Sequence, residues 1–339
     1  MVSLTVIGAG AIAQQGYLPA IDEIPNADLR WIVDIDRQRA RRIAEKHGAP
    51  RYTTEYTDAI ADTDAAIIST PPKFHQEIAD ACLRSGVHVL TEKPLALEST
   101  DAKKLVRLGE DRSLHYAISR QCREAPACRL LHSFANDESL GPIRRFEVRF
   151  GDQTNWAFAS DYRVQRSLAG GGVLTDKGPH VLDLLLWLFG NEVTVDRYRD
   201  DNFGGLEANA LAELTFRESA VSGAVEITGT RDIDGEIVII GDRRKIVADP
   251  DGDTATVYDV DTGEATRLTA STELPNTYLL RVGKQVERFV DSIHSDEIQY
   301  VPASTGVDVL SLIEACYRSR SPIVQPWEKP GIADVSKEV

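Results

Sequence analysis

The sequence predicts an α/β protein in which an N-terminal doubly wound parallel sheet precedes a C-terminal α+β domain with a large, mostly antiparallel open sheet. Three observations support this fold class. Short apolar runs alternate with helix-length segments up to about residue 118, the first run ends in a glycine-rich turn, and period-two alternation dominates the rest of the chain. A chain of 339 residues has room for two domains, which we predict over 1–118 and 119–330.

Four short apolar runs in the first part of the chain predict buried parallel strands. These runs cover residues 4–8, 29–33, 65–69 and 87–91. Segments with helical spacing follow them at 12–24, 36–47, 74–85 and 98–110. Gly48 and Gly86 lie where glycine commonly ends a helix. In an open sheet of this kind ligands bind at the carboxyl ends of the strands, so the turns that follow the strands are the candidate sites.

The pattern changes after residue 118, where a helix is predicted over 124–136. Alternating segments then predict an antiparallel sheet with one covered face. These segments cover residues 143–150, 208–216, 220–228, 236–240 and 254–259. Residues 180–189 are too apolar for a surface helix, so we predict a buried helix that ends at Gly190. Two further helices are predicted over 279–294 and 304–319.

The chain is strongly acidic. Lys and Arg total 38 and Asp and Glu total 53, which gives a formal net charge of −15. We therefore expect neither nucleic acid nor an acidic membrane surface as a partner, because binding phosphate needs positive charge. Aspartate outnumbers glutamate by 30 to 23, and lysine is scarce at 10 against 28 arginines. This balance is typical of proteins adapted to high cytoplasmic salt, with an ordinary acidic protein from a GC-rich genome as the alternative.

Cysteine usage and the amino terminus favour a cytoplasmic protein. The four cysteines are Cys82, Cys122, Cys128 and Cys316. They form no C-x-x-C pair and no histidine has finger-like spacing, so we predict reduced buried thiols and no metal site. The first residues show no basic region followed by an apolar stretch, and no apolar run reaches 18 residues. We therefore expect neither a signal peptide nor a membrane span.

A nucleotide-binding pattern follows the first predicted strand. Gly8 and Gly10 belong to a G-x-G-x-x-A turn that closes at Ala13 and opens a helix. Gly8 permits the tight turn, Gly10 lets the backbone approach a pyrophosphate, and the helix N-terminus attracts the phosphate charge. Ala11 and Ile12 complete the predicted cofactor contacts in this turn. The pattern predicts a Rossmann domain that binds a dinucleotide.

The second predicted strand ends in an acid that bears on the choice of cofactor. Asp34 lies 21 residues after Ala13, near the spacing expected of an acid that accepts hydrogen bonds from the adenosine ribose. Its charge would repel a 2′-phosphate, which favours NAD over NADP. Arg37 lies three residues later and keeps NADP open as an alternative. We predict NAD as the cofactor, with contacts from Asp34 and Arg37.

Two further motifs end predicted strands of the same sheet. The third strand leads into S-T-P-P-x-x-H, and the fourth ends in E-K-P. Because the carboxyl ends of parallel strands share one edge of the sheet, both turns should border the cofactor. The predicted cofactor contacts in these turns are Ser69, Thr70, Pro71, His75, Glu92 and Lys93.

A fourth motif, G-G-G-V-L-T-D-K-G-P-H-V-L-D, covers residues 170–183. With these motifs in order, the sequence resembles the Gfo/Idh/MocA oxidoreductase family over nearly its whole length. The resemblance implies a Rossmann domain, a C-terminal domain with a large open antiparallel sheet, and NAD(P)-linked oxidation of sugars, polyols or their derivatives. It also implies a cis peptide bond between Lys93 and Pro94, and a homodimer or homotetramer that pairs through the open sheet.

By the same resemblance, Lys93, Asp176 and His180 form the catalytic group. Elementary chemistry agrees with this assignment. Asp176 and His180 are four residues apart and therefore share one face of a helix. An imidazole suits removal of a hydroxyl proton, and the Lys93 ammonium can stabilise the developing alkoxide. The nicotinamide takes the hydride, so the reaction needs no metal.

The substrate side of the site is predicted from the resemblance with some departures. Many relatives begin the second domain with Asn-Arg-Arg-aromatic, whereas this chain has S-R-Q-C-R-E without the aromatic residue. Arg120 and Arg123 stay predicted substrate contacts, together with Arg163 and the catalytic group. Trp156 is a predicted contact for which hydrophobic packing is the alternative. Lys177 replaces a commonly apolar residue and is predicted to cover the rim of the site.

The leading hypothesis is a cytoplasmic NAD(P)-dependent dehydrogenase. It would transfer hydride between a carbinol carbon of a sugar, polyol or sugar derivative and nicotinamide, with His180 as general base. The alternatives within enzymes are reduction of a keto-sugar and 3-dehydrogenation of a nucleotide-linked sugar. The alternative from another class is a non-catalytic dinucleotide-binding sensor or regulator, which would not need Lys93, Asp176 and His180 together. The sequence leaves the substrate and the physiological direction open.

Overall fold

A computed structural model describes residues 1–153, 161–202, 205–233, 235–271, 274, 277–295 and 297–323. The strands form a six-stranded sheet and a nine-stranded sheet. The first is parallel throughout and the second is mostly antiparallel, which confirms the predicted fold class. In the part of the chain that the structure describes, no helix is both long enough and apolar enough to cross a membrane.

The first sheet consists of β1 (Val2–Ile7), β2 (Ala27–Val33), β3 (Arg51–Thr53), β4 (Ala65–Ile68), β5 (His88–Thr91) and β6 (Tyr116–Ile118). The strand order is β3-β2-β1-β4-β5-β6. Every residue of β4 is buried, as expected of a parallel strand covered on both faces. The direction of winding reverses between β1 and β4, so a crevice opens at their carboxyl ends. The edge strands β3 and β6 were not predicted, because three residues carry no usable periodicity.

The helices of this part of the chain are α1 (Leu18–Ile21), α2 (Arg37–His47), α3 (Tyr56–Ile60), α4 (His75–Arg84) and α5 (Ser99–Asp111). The helix predicted over 12–24 is instead a π-helical turn at Ala13–Tyr17 that continues into α1. Helix α2 begins after Asp36, whose carboxylate accepts two backbone N–H groups, and ends at Gly48 with φ +69°. Its boundaries therefore follow the capping chemistry of the sequence.

The second sheet consists of β7 (Ile143–Gly151), β8 (Val193–Asp200), β9 (Asn209–Phe216), β10 (Val221–Thr228), β11 (Glu236–Gly241), β12 (Arg244–Ala248), β13 (Thr254–Asp259), β14 (Ala265–Thr269) and β15 (Arg320–Pro322). The order is β14-β13-β12-β11-β7-β10-β9-β8-β15, and only the β10–β7 and β15–β8 pairs are parallel among these strands. Phe146 and Val148 of β7 lie in the core, whereas Arg145 and Arg149 are exposed. The period-two alternation thus separates a covered face from an open face.

The remaining helices are α6 (Pro126–Asn136), α7 (Arg166–Ala169), α8 (Val173–Asp176), α9 (Gly178–Phe189), α10 (Tyr278–Ile293) and α11 (Ala303–Arg318). Helices α6, α9 and α11 share one hydrophobic core with the covered face of the second sheet. Helix α9 is buried almost throughout, as its apolar sequence predicts. Its carboxyl end at Phe189 is closed by Gly190, whose φ is +91°.

The two C-terminal helices also complete the core of the first domain. Val282 and Phe289 of α10 lie in one cluster with residues of β1 and β2, and Val307 and Leu310 of α11 lie in the cluster on the other face of the first sheet. The core around the first sheet therefore includes residues from both sides of the predicted boundary at residue 118. Helical periodicity predicted both helices but does not specify which sheet an apolar face covers.

Candidate active site

A cleft of about 340 Å³ lies where the carboxyl ends of β4 and β5 meet the glycine-rich turn before α8. Its walls combine residues from both parts of the chain, among them Ile12, Ser69, Thr70, Glu92, Lys93, Arg163, Gly172, Asp176, Lys177 and Glu207. Predicted cofactor or substrate contacts from both parts of the chain thus line one cavity; five come from the first domain and one, Asp176, from the glycine motif. This is the binding position expected in open α/β sheets.

The turn after β1 has the shape that a pyrophosphate needs. Gly8 has φ +97°, and a Cβ there would lie 2.8 Å from the backbone of Ser69, so this position accepts only glycine. A Cβ at Gly10 would meet nothing within 4 Å, so the backbone of this turn faces open space. Ala13 is fully buried where the following helix packs on the sheet. The turn therefore offers backbone N–H groups and a helix N-terminus to a phosphate group.

Asp34 ends β2 beside this turn and is buried. Its carboxylate accepts hydrogen bonds from the backbone N–H of Ala9 at 2.9 Å and of Asp36 at 2.8 Å. Arg39 donates to both of its oxygens at 3.2 Å. The predicted neighbour Arg37 instead lies over the ring of Tyr52. Sequence reasoning missed Arg39, because spacing along the chain does not show which residue of α2 turns back towards Asp34.

The turns after β4 and β5 are joined by His75. This residue is fully buried, with Nδ1 2.6 Å from the carbonyl oxygen of Pro94 and Nε2 2.7 Å from that of Thr70. Burial lowers the pKa of His75, although both carbonyl oxygens favour the protonated ring. The structure thus places His75 behind the two turns, where its described contacts are to the backbone. The Lys93–Pro94 peptide is cis, as the resemblance implied.

The carboxylate of Glu92 accepts a hydrogen bond from a buried tyrosine. Tyr17 donates to Glu92 Oε1 at 2.6 Å, and the second oxygen of Glu92 accepts the backbone N–H of Lys93 at 3.1 Å. Burial, followed by the charge of Glu92, raises the pKa of Tyr17 well above its usual value. The Tyr17 hydroxyl therefore stays protonated and donates. This contact fixes the carboxylate on the E-K-P turn.

Lys93 and Asp176 meet directly across the two domains. Lys93 Nζ donates to Asp176 Oδ1 at 3.0 Å and to the Asp176 carbonyl oxygen at 2.5 Å. Arg163 Nη1 lies 3.5 Å from the other carboxylate oxygen. Burial would raise the pKa of Asp176, but the neighbouring Lys93 and Arg163 charges outweigh it and hold that pKa below its usual range. Asp176 is therefore an anion that accepts hydrogen bonds in the cleft.

His180 lies four residues after Asp176, in the first turn of α9, so the two residues belong to successive helices and not to one helix as the spacing predicted. Its Nδ1 is 3.5 Å from the Sγ of the buried Cys122, a contact that the sequence did not indicate because no motif marks it. Burial and the positive charge of Lys93 lower the pKa of His180. The imidazole is therefore neutral near pH 7, in the form that accepts a proton.

The two arginines at the start of the second domain do not reach into the cleft. Arg120 is 3% exposed and its Nε lies 3.1 Å from Asp183. Arg123 makes a bidentate ion pair with the same carboxylate at 2.7 and 2.9 Å. In the structure Asp183 pairs with both guanidinium groups, because a buried carboxylate must be paired. The predicted contact of Arg120 and Arg123 with substrate stays a prediction. Trp156 lies outside the described residues.

Lys177 lines the cleft, and its ammonium donates to the carbonyl oxygen of Asp152 at 2.7 Å and to the carboxylate of the same residue. Its side chain is 14% exposed, so it is more enclosed than a rim position suggests. Lys177 is therefore part of the wall, and its charge has a counter-ion in Asp152.

The glycine motif is held by two residues that sequence reasoning missed. Glu207 Oε1 accepts the backbone N–H groups of Gly172 at 3.0 Å and Leu174 at 3.1 Å, and the hydroxyl of Tyr317 at 2.6 Å. A Cβ at Gly171 would lie 2.3 Å from the Tyr317 hydroxyl, and one at Gly172 would lie 2.1 Å from the Glu207 carbonyl oxygen. The consecutive glycines are thus required by this close approach, which no spacing in the sequence reveals.

Comparison with known families agrees with the fold and the site. The family model described as "Oxidoreductase family, NAD-binding Rossmann fold" (Gfo/Idh/MocA) matches residues 2–119. The model of the same family described as "C-terminal alpha/beta domain" matches residues 136–323. Together these matches cover most of the chain, and they confirm the resemblance and the dinucleotide-binding domain drawn from the motifs.

Curated relatives act on several kinds of sugar. The chain is 28% identical to levoglucosan dehydrogenase of Pseudarthrobacter phenanthrenivorans over 47% of its own length and 42% of the relative's. It is 27% identical to glucose-6-phosphate 3-dehydrogenase of Bacillus subtilis over 59% and 57% of the two chains. It is 30% identical to dTDP-3,4-didehydro-2,6-dideoxy-alpha-D-glucose 3-reductase of Streptomyces violaceoruber over 64% of each. The chain thus matches less than two thirds of the length of these relatives.

Solved structures share the fold over nearly the whole chain. Aldose-aldose oxidoreductase from Caulobacter crescentus, complexed with glycerol, has a TM-score of 0.84 at 22% identity and covers 94% of this chain and 97% of its own. Levoglucosan dehydrogenase with NADH and levoglucosan has a TM-score of 0.84 at 21% identity, covering 94% and 96%. A 3-ketoreductase from Actinomadura kijaniata with NADP and TDP-benzene has a TM-score of 0.82 at 22% identity, covering 96% and 99%.

Proposed function

The chain belongs to the Gfo/Idh/MocA oxidoreductase family, and we propose that it is an NAD(P)-dependent dehydrogenase that acts on a CH–OH group of a sugar, polyol or sugar derivative. The observation that carries this proposal is the contact between Lys93 and Asp176 in a cleft that Ile12, Ser69 and Thr70 also line. A charged donor–acceptor pair beside a dinucleotide turn can orient a hydroxyl group and stabilise the negative charge that develops on its oxygen during oxidation.

The dinucleotide turn fits its cofactor. The backbone around Gly10 faces open space, and the positive φ of Gly8 keeps the turn close to Ser69. The turn would hold the pyrophosphate, and Asp34 would accept the ribose hydroxyls. When bound, the cofactor accepts or donates a hydride at its nicotinamide. The Asp34 carboxylate supports NAD as the preferred form, because a 2′-phosphate beside it would be repelled; Arg39 is the nearest cation that could offset this.

We assign separate tasks to the three residues of the catalytic group. His180 removes the hydroxyl proton, because burial and the neighbouring Lys93 keep its imidazole neutral. The Lys93 ammonium donates to the reacting oxygen and stabilises negative charge that develops there. Asp176 accepts from Lys93 and orients its ammonium. A non-catalytic sensor would have no use for Lys93, Asp176 and His180 together.

We further propose that the protein works in a salt-rich cytoplasm as a homodimer or homotetramer. The charge of −15 and the scarcity of lysine support salt adaptation, because dissolved salt screens the repulsion between carboxylates. All four cysteines are free and buried, as expected in a reducing compartment. The open face of the second sheet supports pairing of two copies, since it offers a broad surface to a partner.

Removal of Lys93 or His180 tests the assignment. Purified protein with NAD or NADP is offered pyranoses, inositols and UDP-sugars at low and molar salt while reduced cofactor is followed. With a substrate in hand, Lys93→Ala and His180→Ala should each lower kcat roughly 10²–10⁴-fold, because proton transfer and oxyanion stabilisation are lost. Lys73→Ala serves as the matched control, because Lys73 is an exposed lysine on the turn after β4 and should leave kcat unchanged.

The pH profile gives a second readout. Because the pKa of His180 is lowered, its neutral form persists as the pH falls below the ordinary histidine value near 6.5. The acid limb of kcat/KM for oxidation should therefore lie below pH 6.5 and should be absent in the residual activity of His180→Ala. Activity close to that of the parent in both alanine variants would refute the assignment. Cofactor binding without turnover of any compound would favour the sensor.

A further inference from the structure

We infer that the cleft takes an uncharged sugar or polyol and discriminates against phosphorylated, carboxylated or nucleotide-linked ones, an inference that rests on the proposed function. The relatives act on sugars of both kinds, so membership of the family does not decide between them. The charges that line the cleft favour the uncharged class of sugar.

Each cationic side chain of the described cleft wall already faces a carboxylate. Lys93 donates to Asp176 at 3.0 Å, and Arg163 lies 3.5 Å from the other oxygen of the same carboxylate. Lys177 donates to both the carbonyl and the carboxylate of Asp152. These three are the Lys and Arg residues among the described side chains that line the cleft. An anionic substrate would have to compete with internal anions for every one of them.

The carboxylates that line the cleft equal its cations in number. Glu92 and Glu207 line it together with Asp176, and both accept a tyrosine hydroxyl at 2.6 Å. Arg320, which is not among the lining residues, lies 3.5 Å from Glu207. The described wall therefore carries no surplus positive charge for a second anion. Side chains that bind a phosphate or carboxylate are chiefly Arg and Lys groups with donors to spare, and an unpaired anion in a partly buried site is costly.

The sequence outside the described residues does not readily supply the missing charge. Residues 154–160 read T-N-W-A-F-A-S and contain no basic residue. The other ranges outside the description add only Lys329 and Lys337, both within the last eleven residues of the chain. Nearly all the basic residues of the chain therefore lie in its described part, where Lys93, Arg163 and Lys177 are the ones that line the cleft.

Sugar hydroxyls suit the same wall. A hydroxyl both donates and accepts, so it can give its proton to a carboxylate and take a hydrogen bond from an ammonium without carrying charge into the cleft. The Lys93–Asp176 pair offers this combination on the reacting side, and Lys177 with Asp152 offers it on the wall. An uncharged polyol thus satisfies the wall groups without displacing their counter-ions.

Matched sugars test the inference. Glucose, glucose 6-phosphate and glucuronate share ring stereochemistry and differ in charge, and the galactose series repeats the comparison, with UDP-glucose and UDP-galactose added. Turnover with NAD and binding to the protein–NADH complex by calorimetry are measured at one fixed ionic strength. The neutral member of a series should exceed its anionic partners in kcat/KM by at least roughly tenfold, the effect of about one charge-assisted hydrogen bond.

A variant that frees one cation sharpens the test. Asp152→Asn removes the charge of the carboxylate that faces Lys177 but leaves the Asp152 carbonyl, which still holds the lysine in the wall. It should raise kcat/KM for the 6-phosphate or the uronate relative to the neutral sugar by roughly threefold to tenfold. Asp242→Asn is the matched control, because it removes the same charge from an exposed ion pair with Arg144 and should change neither ratio.

The outcomes separate the inference from the proposed function. Preference for a phosphorylated, carboxylated or nucleotide-linked sugar over its neutral counterpart overturns the inference while the dehydrogenase assignment stands. Absence of turnover for every compound overturns the proposed function, and calorimetry then decides the inference: tighter binding of the neutral sugar supports it, and tighter binding of the anionic one refutes it. Binding of neither class to the protein–NADH complex overturns both.

Discussion

Asp34 shows how one side chain can serve the fold and the choice of cofactor together. Its carboxylate accepts backbone N–H groups of Ala9 and Asp36, which fixes the glycine turn against the end of β2. The same carboxylate pairs with Arg39 at 3.2 Å. A negative charge at this place therefore holds the turn and, under the proposed preference for NAD, keeps the Arg39 guanidinium from a 2′-phosphate.

Asp34→Asn should shift the cofactor preference towards NADP. The amide keeps one oxygen as acceptor for the turn, but it loses the charge that would repel a 2′-phosphate and releases Arg39 to bind one. The ratio of kcat/KM for NAD over NADP should fall roughly 10- to 100-fold, which corresponds to one hydrogen bond to a charged group. Asp28→Asn, near the opposite end of β2, should leave the ratio unchanged. An unchanged ratio in Asp34→Asn would refute this role.

The difference between Asp34 and Arg39 also shows what the sequence can predict at this scale. Asp34 was predicted because the spacing from the glycine turn to the end of the second strand is a local property of the motif. Arg39 was missed because its contact with Asp34 depends on how the first turn of α2 is oriented, which is set by packing. Cys122 was missed for the same reason: its contact with His180 joins residues 58 positions apart in the chain.

At the scale of elements, the short helix α8 depends on a distant carboxylate. Glu207 lies before β9, and its side chain accepts two backbone N–H groups at the start of α8. Its carbonyl oxygen accepts the backbone N–H of Val173 at 2.9 Å. Tyr317 of α11 donates to the same carboxylate and lies 2.9 Å from Thr175 Oγ1. The position of Asp176 at the end of α8 therefore follows from contacts with two other elements.

Glu207→Ala should lower kcat more than it changes cofactor binding. It leaves buried N–H groups of the glycine motif without an acceptor, at a cost of about 1–3 kcal/mol each, and so loosens the turn that positions Asp176. A loss of roughly 10- to 100-fold in kcat is expected, with little change in the Kd for NADH, because the cofactor turn lies on other elements. Steady-state kinetics and NADH titration measure the two effects.

Conservative and matched variants separate positioning from general stability. Glu207→Gln keeps an amide oxygen for the two N–H groups and should recover most of kcat. Glu213→Ala removes an exposed carboxylate from β9 and should leave kcat unchanged. Equal losses of kcat in Glu207→Ala and Glu207→Gln, or a parallel loss of NADH affinity, would contradict the positioning role.

Elements with a clear period were predicted closely, but not every strand was found. Five strands of the second sheet (β7, β9, β10, β11 and β13) and helices α2, α5 and α11 lie close to the predicted ranges, whereas β8, β12 and β14 were not predicted. The assignment of α10 and α11 to sheets was not predictable, because an amphipathic pattern defines a buried face without identifying what covers it. The glycine motif was predicted as a site from the resemblance, whereas its physical cause, close approach by Glu207 and Tyr317, required the fold.

At the scale of the whole molecule, the open face of the second sheet carries paired charges. Arg149 lies 3.3 Å from Glu226 of the neighbouring strand, and Arg145 lies 2.9 Å from Glu147. Exposed pairs of this kind contribute little to the stability of one chain. They nevertheless leave this face with its charges balanced, so a second copy can pack against it without burying an unpaired ion.

Ala224 lies near the middle of this face, on β10, and provides a test of dimer formation. It is exposed and pairs with Glu147 on one side and Glu213 on the other. Ala224→Arg can satisfy its charge within its own chain, but it raises a long side chain above the surface that a second copy would cover. We expect the parent protein to sediment as a dimer or tetramer, and the variant to dissociate to smaller species at the same concentration and salt.

Thr266→Arg is the matched control for that experiment. Thr266 is exposed and pairs with the buried Val257, so its side chain lies on the opposite face of the same sheet. It introduces the same charge and bulk without touching the open face, and it should leave the oligomer intact. A parent protein that sediments as a monomer, or an Ala224→Arg variant that keeps its size, would show that the open face is not the interface. Dissociation in Ala224→Arg alone would assign pairing to it, because both variants change the net charge equally.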